Sequence, residues 1–183
     1  MALGLHSGCF YILTAKDSNI NDVSELKDKK IAVMGLGSDG AALVRRTLAA
    51  KGLNTSVDNM DFEFVVYPES EMAMALENNL VDAVAVEDPV AGNLVDNGTA
   101  KILLSNASDE ELKDEACCSL MLRPDFVNEH PVLAKKVVLA MQDSANWIKD
   151  NPEETVNIQL NKNYIPKGDK RLYKELISSY NWG

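Results

Sequence analysis

Short apolar runs alternate along this chain with segments of helical periodicity, and that alternation restricts the fold more than any other feature. Lys30–Gly35 (KIAVMG) reads as a buried strand. It is followed by a helical segment, Ala41–Lys51, with Leu43, Val44 and Leu48 on one side and Gly52 as its stop. Phe62–Tyr67 (FEFVVY) is the next strand, closed by Pro68, and Ser70–Asn79 the next helix, with Ser70 as its expected cap. Leu80–Val86 and Ala100–Ser105 repeat the strand pattern, and Pro89 opens a helix between them that ends near Gly98. Strands joined through helices pair in parallel by right-handed crossovers. The sequence therefore predicts an α/β fold: a mostly parallel sheet flanked by helices. A strand over Cys9–Ala15 precedes this block and another over Ala116–Arg123 follows it. Beyond that, helical sequence dominates. His130–Asp150 carries Leu133, Val137, Met141 and Ile148 on one stripe, and two shorter helices span Pro152–Leu160 and Asp169–Ser179. The expected organisation is a crossing strand at 1–15, an α/β unit over 16–123 and a helical segment over 124–183.

The turn after the first of these parallel strands carries G-x-G-x-x-G at Gly35, Gly37 and Gly40. A dinucleotide-binding turn needs, besides the glycines, an acidic residue about 20 positions on at the end of the next strand. That strand ends at Tyr67, and Glu69 lies well past the distance. Asp39 also stands at the mouth of the helix, where its charge would repel a pyrophosphate. A nicotinamide-dependent oxidoreductase is thus the weakest functional reading. Gly37, Ser38, Asp39 and Gly40 are expected to face a ligand with backbone donors. The plainer alternative is a strand-to-helix turn capped by Ser38 or Asp39.

Charge and cysteine usage exclude other classes. The formal net charge is −10, with acids spread along the chain, which opposes binding to a phosphate backbone, so no nucleic-acid partner is expected. No apolar run approaches the roughly 20 residues of a membrane span. No export signal is visible, and Leu5–Cys9 (LHSGC) departs from a lipoprotein cleavage box at His6. Cys9, Cys117 and Cys118 are odd in number with two adjacent, so no disulfide framework is read. They are expected to be small buried residues, with a vicinal redox pair or thiolate ligand as the lesser alternative. His6 and His130 do not stand at metal-ligand spacing from a cysteine or carboxylate pair, so neither a metal nor a cofactor is expected.

In an α/β sheet, ligands sit beyond the carboxyl ends of the parallel strands. That rule selects Gly37, Ser38, Asp39 and Gly40, then Tyr67 and Glu69, then Glu87 and Asp88. This set is rich in carboxylates and has no Lys or Arg, which suits a neutral or cationic organic solute such as a nitrogen heterocycle. An alkyl sulfonate or other oxyanion is the alternative and would need cations from elsewhere. Glu87 and Asp88 also read as caps of the following helix. No nucleophile–base–orienter set can be assembled, so catalysis is not expected.

Three phrases taken in order carry a resemblance: AKDSNINDVSELKDKKIAVMGLGSDG, LENNLVDAVAVEDP, and CCSLMLRPDFVNEHPVLAKKVVLAMQDSANWIKDNPEE. Together they resemble the type II periplasmic solute-binding proteins of ABC importers, in the branch that takes nitrate, sulfonates, taurine and pyrimidine precursors. The resemblance implies a periplasmic-binding-protein-like II fold whose lobe two, hinge and returning C-terminal helices are present, while the N-terminal half of lobe one is lacking. It adds His6, Ser7 and Cys9, at the position of the hinge, to the ligand-binding set. It implies an ABC permease as partner and an extracytoplasmic location. Surface left open by the missing lobe is expected to favour self-association. An enzymatic alternative in the same superfamily resembles thiamine-pyrimidine synthase. That chemistry uses a cleft lysine, a histidine and a cysteine-rich loop, of which only the Cys117–Cys118 pair is suggestive here.

Overall fold

The computed structural model describes residues 2–182. In chain order the elements are β1 (Leu3–Ser7), β2 (Phe10–Ala15), a 3-10 turn (Val23–Leu26), β3 (Lys30–Val33), α1 (Asp39–Ala50), β4 (Glu63–Val66), α2 (Glu69–Glu77), β5 (Ala83–Glu87), α3 (Val90–Asp96), β6 (Ala100–Ser105), β7 (Cys118–Leu120), α4 (Pro124–Glu129), α5 (Pro131–Asp150), α6 (Pro152–Asn161), α7 (Lys170–Ser179) and β8 (Asn181–Trp182). They fall into two compact units, one of residues 10–105 and one of residues up to 9 together with those from 106 onward. Where the sequence suggests divisions after 15 and 123, the chain divides after Cys9 and after Ser105.

The 10–105 unit is a five-stranded sheet in the order β4-β3-β5-β2-β6. β3 pairs in parallel with β4 and β5, as the alternation predicts. β2 runs antiparallel to both of its neighbours, β5 and β6. Four strands therefore point one way and β2 opposes them. β2 is inserted between β5 and β6, strands joined to each other through α3, and neither of its sheet neighbours directly precedes or follows it in the chain.

Alternation along the strands splits the core into two layers. One face gathers Leu13, Ala32, Val84 and Val86 with Met72, Ala75 and Leu76 of α2 and Ala91 and Leu94 of α3. The other carries the buried Ile12, Ile31 and Ala85, and α1 lies against β2 and β5 on this side. Both faces are covered, which is why β3 and β5 read as continuous apolar runs. Asp22 caps the 3-10 turn by accepting from the Ser24 N–H, and Ser24 itself does not cap. α2 begins at Glu69 behind Pro68 with no side-chain cap. Ser70, the cap expected from sequence, instead lies inside the first turn, because the fixed φ of Pro68 already sets the helix start.

The second unit holds the antiparallel sheet β7-β1-β8 and helices α4 to α7. The strand expected over Ala116–Arg123 is only Cys118–Leu120, since Pro124 starts α4 shortly after it. Its partner β1 and the terminal β8 carry no periodic signal long enough to read. A small core forms where α6 meets α7: Val156, Leu172, Tyr173 and Ile177, flanked by Ile148, Leu160 and Trp182. α5 buries only Ala134 and Ala145. Of its expected apolar stripe, Val137, Met141 and Ile148 are half-buried and Leu133 is exposed, as are Val132, Leu139 and Trp147.

Candidate functional site

The connections of the five-stranded sheet create one special place. From the carboxyl end of β3 the chain turns into α1 and goes on to β4; from that of β5 it turns into α3 and goes on to β6, on the opposite side of the sheet. β3 and β5 are neighbours, so the two turns diverge and leave a crevice between them, the topological switch point of an open α/β sheet. The β3–α1 loop carries Gly37, Ser38, Asp39 and Gly40; the β5–α3 turn carries Glu87 and Asp88. Tyr67 and Glu69 close β4 on the same rim, with Tyr67 donating its backbone N–H to Val33 O at 3.1 Å.

Each residue at this rim has a local cause. Ser38 is the N-cap of α1: its hydroxyl accepts from the Ala41 N–H at 3.3 Å and donates to Gly35 O at 2.7 Å. Gly40 is a packing residue. A Cβ there would stand 3.0 Å from Ala85 O and 3.2 Å from the Phe10 ring, so only glycine lets α1 settle against the sheet. Gly35 and Gly37 differ, for a Cβ at either would meet nothing within 4 Å. Gly40→Val is accordingly expected to destabilise the protein by about 1–3 kcal/mol, as overpacked cores do, whereas Gly37→Ala leaves the urea midpoint nearly unchanged. Equal midpoints for the two variants would overturn this division of roles.

The carboxylates also separate. Asp88 accepts from the Tyr11 hydroxyl at 3.2 Å and from the Gly92 N–H at 3.0 Å, so it is tied to its own turn, next to a cis Asp88–Pro89 bond. Glu69 is half-buried, and desolvation raises its pKa above the usual carboxylate value; a hydrogen bond from the Glu87 backbone, which favours the charged form, opposes that rise. Asp39 is exposed.

Two neighbours escaped the sequence reading. Tyr11 arrives from the antiparallel strand β2, whose direction the sequence does not reveal. Arg45, two turns into α1, donates to Leu36 O at 3.0 Å and lies 5.1 Å from the centre of the Phe64 ring. The rim is therefore not wholly without cations, as the sequence suggests. Met34, Leu36 and Val66 add exposed apolar surface to the strand ends. A separate hollow of about 480 Å³ opens at the other end of the same unit, lined by Thr14, Lys16, Asp17, Glu77, Asp82 and Thr99. It lies away from the switch point, and its Thr14 and Asp82 groups are already occupied with each other and with Lys30 N.

His6, Ser7 and Cys9, the hinge candidates, belong to the second unit. Ser7 is buried. The His6 ring stacks on Tyr180 with centroids 4.9 Å apart and meets Trp182 at 4.7 Å. Cys9 Sγ lies 2.7 Å from Cys117 Sγ. Strand alternation predicts opposite directions for Cys117 and Cys118, yet both thiols hydrogen-bond toward Cys9. Cys117 sits just before β7, where the strand pattern has not begun, and a register irregularity falls between Gly4 and His6 in the facing strand. Hydrogen bonds with Cys117 and Cys118, together with burial, push the Cys9 thiol well up. Hydrogen bonds from Cys118 and Cys9 push the Cys117 thiol down.

Comparison with known proteins agrees with this architecture. Residues 11–160 match the model of the NMT1-like family. The nitrate/nitrite binding protein NrtA of a Synechocystis species is 23% identical over 162 residues, covering 87% of this chain and 35% of its own. Among solved structures, the periplasmic aliphatic sulphonate binding protein SsuA from Escherichia coli superposes with a TM-score of 0.73 at 18% identity, covering 93% of this chain and 55% of that one. The alkanesulfonate-binding protein SsuA from Xanthomonas axonopodis pv. citri, bound to MOPS, gives 0.71 at 18% identity, covering 96% and 59%. The chain spans about a third of the NrtA sequence and little more than half of either SsuA structure. The fold is that of these periplasmic binding proteins, and with the family match extending over most of its length the chain belongs to the NMT1-like family.

Proposed function

We propose that this chain is the solute-binding part of an ABC-type importer, gripping a small organic solute at the switch-point rim without transforming it. The carrying observation is the convergence at one crevice of the β3–α1 loop, with open space at Gly37, and the Glu87–Asp88 turn, with Glu69 hydrogen-bonded to the Glu87 backbone. Gly37 offers close backbone approach, Tyr67 a hydroxyl and an aromatic face, and Glu69 and Asp39 acceptors. Met34, Leu36 and Val66 supply contact for an apolar body. This favours a neutral or cationic solute such as a nitrogen heterocycle. An ABC permease is the natural recipient and an extracytoplasmic face the natural location. No helix among the described residues is long and apolar enough to cross a membrane.

A second reading, an alkyl sulfonate or nitrate, is favoured by Arg45 beside the loop and by what the NrtA and SsuA relatives are named for. Calorimetric titration of the chain against nitrogen heterocycles, alkanesulfonates and nitrate separates the two. The expected outcome is heat with a heterocycle and a loss of at least about tenfold in affinity in Glu69→Gln, the size of one charge-assisted hydrogen bond. Binding of sulfonate or nitrate alone transfers the assignment to the oxyanion reading. Binding that is indifferent to Glu69→Gln and Gly37→Val removes the rim as the site.

A further inference from the structure

We propose that His6, Cys9, Cys117 and Cys118 form a site for one thiophilic metal ion, with Zn²⁺ as its natural occupant. Sequence spacing argues against such a site because the donors come from two stretches more than 100 residues apart; folding removes the separation. The ligand atoms of His6, Cys9 and Cys118 all lie within 4.8 Å of one another. Cys117 Sγ, 2.7 Å from Cys9 Sγ, is a further thiol beside this trio and the candidate fourth donor. Three sulfurs and one imidazole are the donor set of a closed, tetrahedral structural zinc site. With zinc–sulfur bonds of about 2.3 Å in a tetrahedron, the 2.7 Å Cys9–Cys117 contact must open for both sulfurs to bind one ion.

The surroundings hold these donors in place. His6 and Cys118 are cross-strand partners of the β1–β7 ladder, and the Cys117 N–H donates to His6 O at 2.8 Å. Gly8, at φ 79°, turns the chain between His6 and Cys9, and a Cβ there would come within 2.7 Å of the Ala107 Cβ. That turn is therefore fixed both by backbone conformation and by close packing. The imidazole rests against both Tyr180 and Trp182. Its Nδ1 lies 3.4 Å from Ser7 O, the kind of backbone carbonyl to which a metal-bound histidine commonly gives its second N–H. Nε2 is then the nitrogen for the metal. Cys9 is buried while Cys117 and Cys118 are half-buried, so the cluster is shielded yet reachable by an ion. Simple core packing explains one buried cysteine; it does not explain three thiols and an oriented imidazole in one place. A Cys9–Cys117 disulfide is the competing fate and would use two of the four donors.

Cobalt titration of the fully reduced 183-residue chain tests the proposal. One equivalent of Co²⁺ is expected to give thiolate-to-cobalt charge-transfer bands that Zn²⁺ displaces and that Cys118→Ser abolishes. A second readout needs no variant: one equivalent of Zn²⁺ should protect all three cysteines from iodoacetamide, as counted by mass spectrometry. Circular dichroism of Cys118→Ser shows whether a lost band reflects lost fold, and in that case the alkylation result decides. Absence of bands together with unprotected cysteines overturns the site. A Cys9–Cys117 disulfide in air-handled protein, joined to that result, assigns the cluster to redox chemistry instead.

Discussion

Leu13→Ala should lower the stability of the 10–105 unit by about 2–5 kcal/mol, the range for deleting a buried leucine side chain whose surroundings only partly collapse. Leu13 sits in the middle of β2, with Val84 of β5 on one side and Ile102 of β6 on the other. It has no exposed surface and belongs to the layer built from Met72, Ala75 and Leu76 of α2 and Ala91 and Leu94 of α3. Two strands fix it laterally and two helices cover it, so the cavity left by alanine has rigid walls and the cost belongs in the upper part of the range. The neighbouring Ile102 is the internal control. It occupies the same ladder but is 47% exposed, and Ile102→Ala should cost far less. Urea unfolding followed by circular dichroism measures both. Comparable losses at the two positions would mean that the two-layer account of this core is wrong.

That contrast also shows where the sequence was informative. Periodicity located β3, β4, β5 and the three crossover helices, because both faces of the sheet are covered and each element carries its own apolar signature. The rim followed from the rule that ligands collect at strand carboxyl ends. Direction in the sheet was a different matter. Nothing in FYILTA states that it opposes its neighbours; that depends on its insertion between β5 and β6, which lie far along the chain. Tyr11 was missed at the rim for this reason, and Arg45 because its reach back to Leu36 O depends on a rotamer. The G-x-G-x-x-G turn was legible as a strand-to-helix turn capped by Ser38, but not in its division of labour. Gly40 answers to Ala85 and Phe10, far away in sequence, whereas Gly37 answers to no neighbour at all. The cysteine cluster was hidden most completely. Its members lie at positions 6, 9, 117 and 118, and only the β1–β7 ladder makes them adjacent. Local spacing rules read sites on one turn or loop; a site assembled by strand pairing leaves no such trace.

Tyr173→Ala is the counterpart for the second unit. Burying an aromatic ring against a small core is worth more than any other single contact there, and truncation of such rings costs about 3–5 kcal/mol. Tyr173 is 2% exposed and packs among Val156 of α6 and Leu172 and Ile177 of α7. Gly168 lies so near that a Cβ there would fall on the tyrosine hydroxyl, so the loop before α7 is moulded on this side chain. The ion pairs that link the same helices, Lys170 and Lys174 to Glu153 at 3.5 and 3.1 Å, are exposed to solvent and screened. Glu153→Gln should leave the melting temperature unmoved, while Tyr173→Ala should lower it by many degrees. The loss should also travel along α7. Trp182 donates its indole N–H to Ile177 O at 2.9 Å, and Tyr180 and Trp182 together hold the His6 ring. Loosening α7 therefore loosens the imidazole, and Co²⁺ affinity should fall in Tyr173→Ala although no ligand has been touched. Differential scanning calorimetry and cobalt titration on the same preparation check both effects. A variant that melts like the parent chain would show that the α6–α7 contact does not organise this unit.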